Sequence, residues 1–309
     1  MTSTTAPPPV DLDGVVSLAC AEAGFPARDR HLLRHFANAV YLVRDVPVVV
    51  RVAYGPDAAS RSRLAVAATR WLGANSFPAT LPAALPALRA QPILPTGRRD
   101  VAVTFWDYHP QPEPARPPEV ESLAYVARLL HKIDAAAPVR LPRYRPLVPL
   151  RLALAEPDAP GVLGGGTHRW LLARVDELCG AFDALDFPLG VGVIHADLYL
   201  GNLLWSGDGD VVLADWDSVS VGPREVDLAP TYAAVRFGLP AATVDRFAGA
   251  YGYDLRCWPG FPALREMREL STLTALVRLA AHDPASAAEL HHRVETLRCG
   301  DTATRWHSR

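Results

Sequence analysis

Apolar positions alternate between strand-like runs and two helical stretches in the first third of the chain and fall mainly in helical stripes through the rest. Asp11 to Ala23 reads as a short helix that stops at Gly24. Two β-branched runs follow, Ala39 to Val43 and Val46 to Ala53, separated by Arg44-Asp45. They predict a β-hairpin whose second strand starts at Pro47 or lies on a sheet edge. Between Ser60 and Leu72, the residues Leu64, Ala67, Ala68, Trp71 and Leu72 keep the spacing of one helical face, with Ser60 as its cap. Asp100 to Trp106 (DVAVTFW) predicts another strand, and the proline-rich DYHPQPEPARPPEV behind it can continue neither strand nor helix.

Downstream, Ser122 to Ile133 and Pro262 to His282 read as helices, as does His168 to Leu185 with Leu171, Val175, Leu178, Phe182 and Leu185 on one stripe. Pro138 to Gly166 reads as a proline-rich connection. The expected division is a β-rich N-lobe, residues 1–106, and a mainly helical C-lobe, residues 107–309, with residues 1–10 as a Pro/Thr/Ala tail.

Composition narrows the functional classes. A net charge of -2 gives no general attraction to nucleic acid or an anionic membrane. No run approaches the roughly 18–20 apolar residues of a membrane span, and MTSTTAPPPV has neither the basic nor the apolar region of a signal peptide, so a cytoplasmic protein is expected. The cysteines Cys20, Cys179, Cys257 and Cys299 form no CxxC pair, which argues against a zinc knuckle. Lys132 is the only lysine among 31 basic residues.

Chemistry concentrates in residues 191–230, VGVIHADLYLGNLLWSGDGDVVLADWDSVSVGPREVDLAP. His195-Ala196-Asp197 is followed five positions on by Asn202, and thirteen further on by Asp215. Asn202 to Trp205 and Val211 to Ala214 are apolar, and Ser206 to Asp210 is turn chemistry, so a hairpin is predicted. An antiparallel hairpin brings the start of its first strand beside the end of its second, which would set Asn202 next to Asp215. An amide oxygen and a carboxylate are hard donors that suit Mg²⁺ bound together with substrate phosphates. Asp197, on the loop before Asn202, could orient an incoming hydroxyl and take its proton, while His195 braces the loop. Asp227 would bind loop amides or cap the next helix.

HADLYLGN, then LADWD, then VDLAP together resemble the aminoglycoside phosphotransferase family, a branch of the protein-kinase-like superfamily that includes choline and homoserine kinases. The kinase pattern is H-x-D-x-x-x-x-N followed by D-F-G. Here Asp215-Trp216-Asp217 stands in the last place and lacks the glycine. The resemblance implies an α+β, bilobal protein-kinase-like fold and transfer of the γ-phosphate of ATP or GTP, with Mg²⁺, to a hydroxyl. Asp197 and His195 become the catalytic residues, Asn202 and Asp215 the metal ligands, and Asp217 and Asp227 structural supports. Arg51 stands where kinases carry a third-strand lysine, and a guanidinium can grip phosphate bidentately. No glycine-rich loop is present; His35 to Tyr41 reads as the turn before the strands, with Asn38 as a phosphate contact. Thr104, Phe105 and Trp106 fall at the hinge whose backbone would meet the purine.

A cationic aminoglycoside would need carboxylates from the second lobe, and Glu225, Glu266 and Glu269 are the candidates, with Asp183 and Asp186 behind them. Small-molecule antibiotics and biosynthetic intermediates are the acceptors expected first. Two other readings fit the same residues: a peptide Ser/Thr kinase of a natural-product pathway, and a pseudokinase that binds nucleotide or a protein partner.

Overall fold

The computed structural model describes residues 11–307 except 26, 36, 37, 56, 89, 96, 98, 134–138 and 208. The tail at 1–10, part of the turn before the strands and the start of the proline-rich connection therefore lie outside the described residues. Two compact units divide the chain, one of residues 1–110 with 206–208 and one of 111–205 with 209–309.

The first unit is built on a four-stranded antiparallel sheet in sequential order: β1 (Arg30–His35), β2 (Asn38–Val43), β3 (Val48–Tyr54) and β4 (Val101–Asp107). Helix α1 (Leu12–Glu22) covers one face, starting where the Asp11 carboxylate accepts from the Gly14 amide at 3.0 Å. Alternation along β3 sends Val48, Val50 and Val52 to that face, where they join Val15, Val16, Ala19, Val103 and Phe105 in the core. The opposite face takes Ala53 and Ala102 against the start of α2 (Ala58–Ala74).

Three expectations change here. Strand β1 is additional: Arg-His-Leu-Leu-Arg-His shows no alternation because it is an edge strand exposed over most of its length, so no buried face selected its pattern. Helix α2 starts before Ser60, with Asp57 at its N-cap in a left-handed conformation, φ 62°. Its buried face is only partly the expected one: Ala68 and Leu72 are buried, together with Ala58, Ala59, Ser62, Ala65, Val66 and Thr69, whereas Leu64, Ala67 and Trp71 are half-buried. Small residues let the helix lie close on β3 and β4, so side-chain size outweighed apolarity in choosing the face.

The second unit is mainly helical. Helix α3 (Val120–Leu130) packs on α8 (Ala241–Tyr251), and α7 (Glu225–Ala233) packs on α9 (Phe261–Ser271). The connection predicted from Pro138 to Gly166 contains two short helices, α4 (Val148–Leu154) and α5 (Ala159–Leu163), each with a proline in its first turn, where a missing amide costs nothing. Helix α6 (Gly165–Asp183) buries Leu171, Val175, Leu178 and Phe182, the expected stripe. The helix expected from Pro262 to His282 is two, α9 and α10 (Leu273–Leu279), with a break at Thr272, whose hydroxyl donates to the Glu269 carbonyl at 2.6 Å. Helix α11 (Pro284–Arg298) packs on α10. Short strands β5 (Val191–Ile194) and β8 (Ser220–Pro223) pair with each other, and β6 (Leu203–Gly207) pairs with β7 (Asp210–Leu213). Among the described residues no helix is long and apolar enough to cross a membrane.

Candidate active site

The HAD loop leaves β5 and ends where β6 begins. Its shape is set from beneath by Asp227 on α7, a fully buried carboxylate that accepts from the amides of His195 (2.9 Å) and Ala196 (2.6 Å). His131, which caps the C-terminus of α3, lies 3.1 Å from the same carboxylate through Nε2, and its Nδ1 lies 2.7 Å from the Tyr251 hydroxyl. Burial pushes the Tyr251 phenol well above its ordinary pKa, helped by the negative charges of Asp227 and Glu225. The loop thus rests on a buried polar chain running from α8 through α3 to α7, every member of which has a partner.

Ala214 is the point on which both ends of the loop converge. Its amide donates to the Asn202 carbonyl at 2.8 Å, and its carbonyl lies 2.9 Å from His195 Nε2. With Nε2 donating there, Nδ1 is free to accept from the Asp197 amide at 3.3 Å. The His195 ring is fully buried and meets the Trp216 indole edge-on, centroids 4.7 Å apart. His195 therefore braces the loop from within. Because Asn202 and Ala214 are hydrogen-bonded neighbours across the hairpin, Asp215 follows directly after the partner of Asn202.

Asn202 is buried, and its Nδ2 donates to the Asp197 carbonyl at 3.0 Å. That bond fixes the amide plane and turns Oδ1 the other way. Asp215 sits in the left-handed region, φ 65°, and opens a single 3₁₀ turn containing Trp216 and Asp217. Trp216 Nε1 donates to the Leu213 carbonyl at 2.8 Å and anchors that turn. Among the described residues no group of three or more His, Cys, Asp or Glu side chains gathers to hold a metal. An amide oxygen from Asn202 and a carboxylate from Asp215 nevertheless fit a hard cation that draws its remaining ligands from substrate and water.

Asp197 is partly exposed, and Oδ1 lies 2.8 Å from Arg268 Nη1 on α9. Sequence reasoning missed this contact: the two residues are far apart in the chain, and attention to acids in the same helix passed over the arginine between them. The half-buried Tyr144, whose phenol pKa is pushed up to about 12 by loss of solvation, senses both Arg268 and Asp197.

The three glutamates expected to meet the acceptor each have a framework partner. Glu225 is fully buried and accepts from the Leu189 amide at 2.6 Å. Glu266 binds Arg174 through both oxygens at 2.6 Å. Glu269 is buried and lies 3.2 Å from Arg236 Nε and 3.7 Å from Arg265 Nε.

In the first unit, Arg51 on β3 is 7% exposed, paired in register with Thr104 on β4 and Val40 on β2, so these side chains share the face opposite the α1 core. Asn38 opens β2 opposite Ala53. Thr104 Oγ1 accepts from Trp106 Nε1 at 2.8 Å, and Phe105 packs edge-on against Phe25. The Phe105 amide donates to Gln91 Oε1 at 2.7 Å, its carbonyl accepts from Ala83, and the Asp107 amide donates to Leu81. The outer edge of β4 is thus already engaged within its own unit as far as Asp107.

This fold and site define a kinase-like α+β protein, and comparison with known proteins agrees. Among solved structures the chain is similar to the amicoumacin kinase hAmiN in complex with AMP-PNP, Ca²⁺ and Ami, with a TM-score of 0.71, 15% identity and 96% of each chain covered. It is similar also to a microcompartment-associated aminopropanol kinase, with a TM-score of 0.63, 17% identity and coverage of 94% of this chain and 99% of that one. For the spectinomycin phosphotransferase APH(9)-Ia in complex with ADP and spectinomycin, the TM-score is 0.60 and the identity 13%, with coverage of 88% of this chain and 90% of that one. At these identities the likeness establishes a shared fold. No curated protein matches in sequence. The family model described as phosphotransferase enzyme family, APH, matches residues 30–270, and the chain belongs to that family.

Proposed function

We propose that the protein transfers the γ-phosphate of ATP or GTP to a hydroxyl of a small molecule. The observation that supports this reading is that His195 Nε2 and the Asn202 carbonyl both bond to Ala214, the residue directly before Asp215, so that backbone or ring atoms of the HAD and Asn202 motifs meet at the hairpin end that carries Asp215. Asp197 orients the acceptor hydroxyl and takes its proton as the new oxygen–phosphorus bond forms and the bond to the β-phosphate oxygen breaks, releasing the nucleoside diphosphate. Asn202 Oδ1 and the Asp215 carboxylate would hold Mg²⁺, with Asp217 supporting the turn. When bound, the ion offsets negative charge on the phosphate oxygens. Most of the acceleration then comes from positioning and electrostatics, for which a loop braced by Asp227 and His195 is suited.

Arg51 and Asn38 are assigned to the donor phosphates, with the planar guanidinium taking over the task of the absent lysine. Because the β4 backbone through Asp107 is already hydrogen-bonded, a purine edge would be read by the backbone that follows, at Tyr108 and His109, with Thr104, Phe105 and Trp106 shaping the wall beside it.

Structural relatives that act on small molecules favour that acceptor class over a peptide. The presence of Asp197, Asn202 and Asp215 on one loop and hairpin favours catalysis over a binding-only role, since a scaffold has no chemical use for all three. The reading is tested by nucleotide turnover in Mg²⁺ for wild type and Asp197→Asn. Nucleotide binding should persist in the variant while turnover falls by about a hundredfold or more, and equal turnover would remove Asp197 from the mechanism.

A further inference from the structure

The acceptor-facing carboxylate is partnered by a cation. Arg268 reaches Asp197 across 2.8 Å, and among the described residues it is the only ion-pair partner of Asp197. The acids that could have offset that cation are otherwise occupied: Glu266 by Arg174, Glu269 by Arg236 and Arg265, and Glu225 in the interior. A polycationic acceptor approaching Asp197 would meet a like charge within ion-pair distance. An anionic group would instead find a planar guanidinium whose remaining donors make no hydrogen bond to another group among the described residues.

Resting on the phosphotransferase reading above, we infer that Arg268 sets acceptor specificity and that the acceptor carries an anionic group, carboxylate or phosphate, close to the hydroxyl that is phosphorylated. The guanidinium orients that anion while Asp197 meets the hydroxyl. Discrimination against ammonium-bearing acceptors follows from repulsion as well as from lost attraction.

The test uses the full chain with Mg²⁺ and AMP-PNP and four probes that share a hydroxyl: glycolate, glycerol phosphate, ethanolamine and ethylene glycol. Dissociation constants are read by calorimetry or ligand-observed NMR. One or both anions should bind about tenfold or more tighter than ethanolamine, and which of the two does so separates a carboxylate acceptor from a phosphorylated one. Arg268→Gln should erase that preference and Arg268→Glu should reverse it. Ethanolamine binding as well as the anions, no anion binding, or an anion preference unchanged in Arg268→Gln would each overturn the inference. A variant that lowers turnover without moving the preference would also overturn it, by leaving Arg268 only a bracing part. Should the variants fail to fold, the wild-type comparison of anions with ethanolamine still decides. The parent reading is checked apart from this by slow Mg²⁺-dependent transfer of the ATP γ-phosphate to water, giving ADP and inorganic phosphate: if that is absent while anions bind, phosphotransfer fails rather than the assignment of Arg268.

Discussion

The Asp227 carboxylate accepts a 2.6 Å hydrogen bond from the amide of Ala196, a residue held at φ 64° immediately before Asp197. A buried side chain on α7 thereby stabilises a left-handed residue that L-amino acids otherwise avoid, and that bend sets the direction in which Asp197 leaves the loop. Asp227→Ala removes an acceptor shared by two amides and His131 in a fully buried place, so a loss of about 2–4 kcal/mol is expected. Urea denaturation measures it, and a loss below about 1 kcal/mol would show that the carboxylate is not what holds the loop.

Ala196→Gly should leave the fold intact and stabilise it by up to about 1 kcal/mol, because relief of the left-handed strain outweighs the added entropy of the unfolded chain. Thermal melting reads the effect. A loss of more than about 1 kcal/mol would mean that the methyl group packs in a way the backbone conformation does not reveal.

Glu225 carries a distinct pH signature. Burial is the main cause that raises its pKa above the ordinary 4.5, opposed by the Leu189 amide, its own amide, His131 and Arg224. Tyr251 and Tyr253 feel its charge in return. Glu225 Oε2 has no hydrogen-bond partner among the described residues, so a charge there is poorly solvated. With the folded-state pKa raised, the group's contribution to stability is full below its unfolded pKa and is lost as pH rises through the folded value. Glu225→Gln, which stays neutral, should match wild type in acid and exceed it progressively at higher pH. Parallel urea midpoints for the two proteins across that range would refute the assignment.

Where one physical signal dominated, the residues announced their place. The hairpin between Asn202 and Ala214 could be read because apolar runs flank Ser-Gly-Asp-Gly-Asp, and local turn chemistry alone decides such a pairing. The α6 stripe was legible because its core is formed by large residues at helical spacing. Strand β1 and the true face of α2 were not, because an exposed edge carries no hydrophobic period and a close helix–sheet contact selects Ala, Ser and Thr over Leu and Trp. The chemistry followed the same division. Asp197, Asn202 and Asp215 lie in one stretch with fixed spacing, whereas the partners Arg268, His131 and Tyr251 come from three helices whose packing no local pattern encodes.

The glutamates of α9 show the limit most clearly. In the sequence Arg-Glu-Met-Arg-Glu, the acids stood out as partners for a cationic acceptor, yet Glu266 and Glu269 are held by Arg174, Arg236 and Arg265. Charge on an amphipathic helix does not reveal which sign faces a site until the neighbouring helices are in place.

The central claim, that Asn202 and Asp215 join across the hairpin to hold a divalent ion with the donor nucleotide, is tested most directly by calorimetric titration of ATP and GTP into wild type and Asp215→Ala, each with Mg²⁺ and with EDTA. The account predicts that wild type binds nucleotide more tightly with Mg²⁺ and that the variant loses this dependence. Equal Mg²⁺-dependent binding by the two proteins would contradict it.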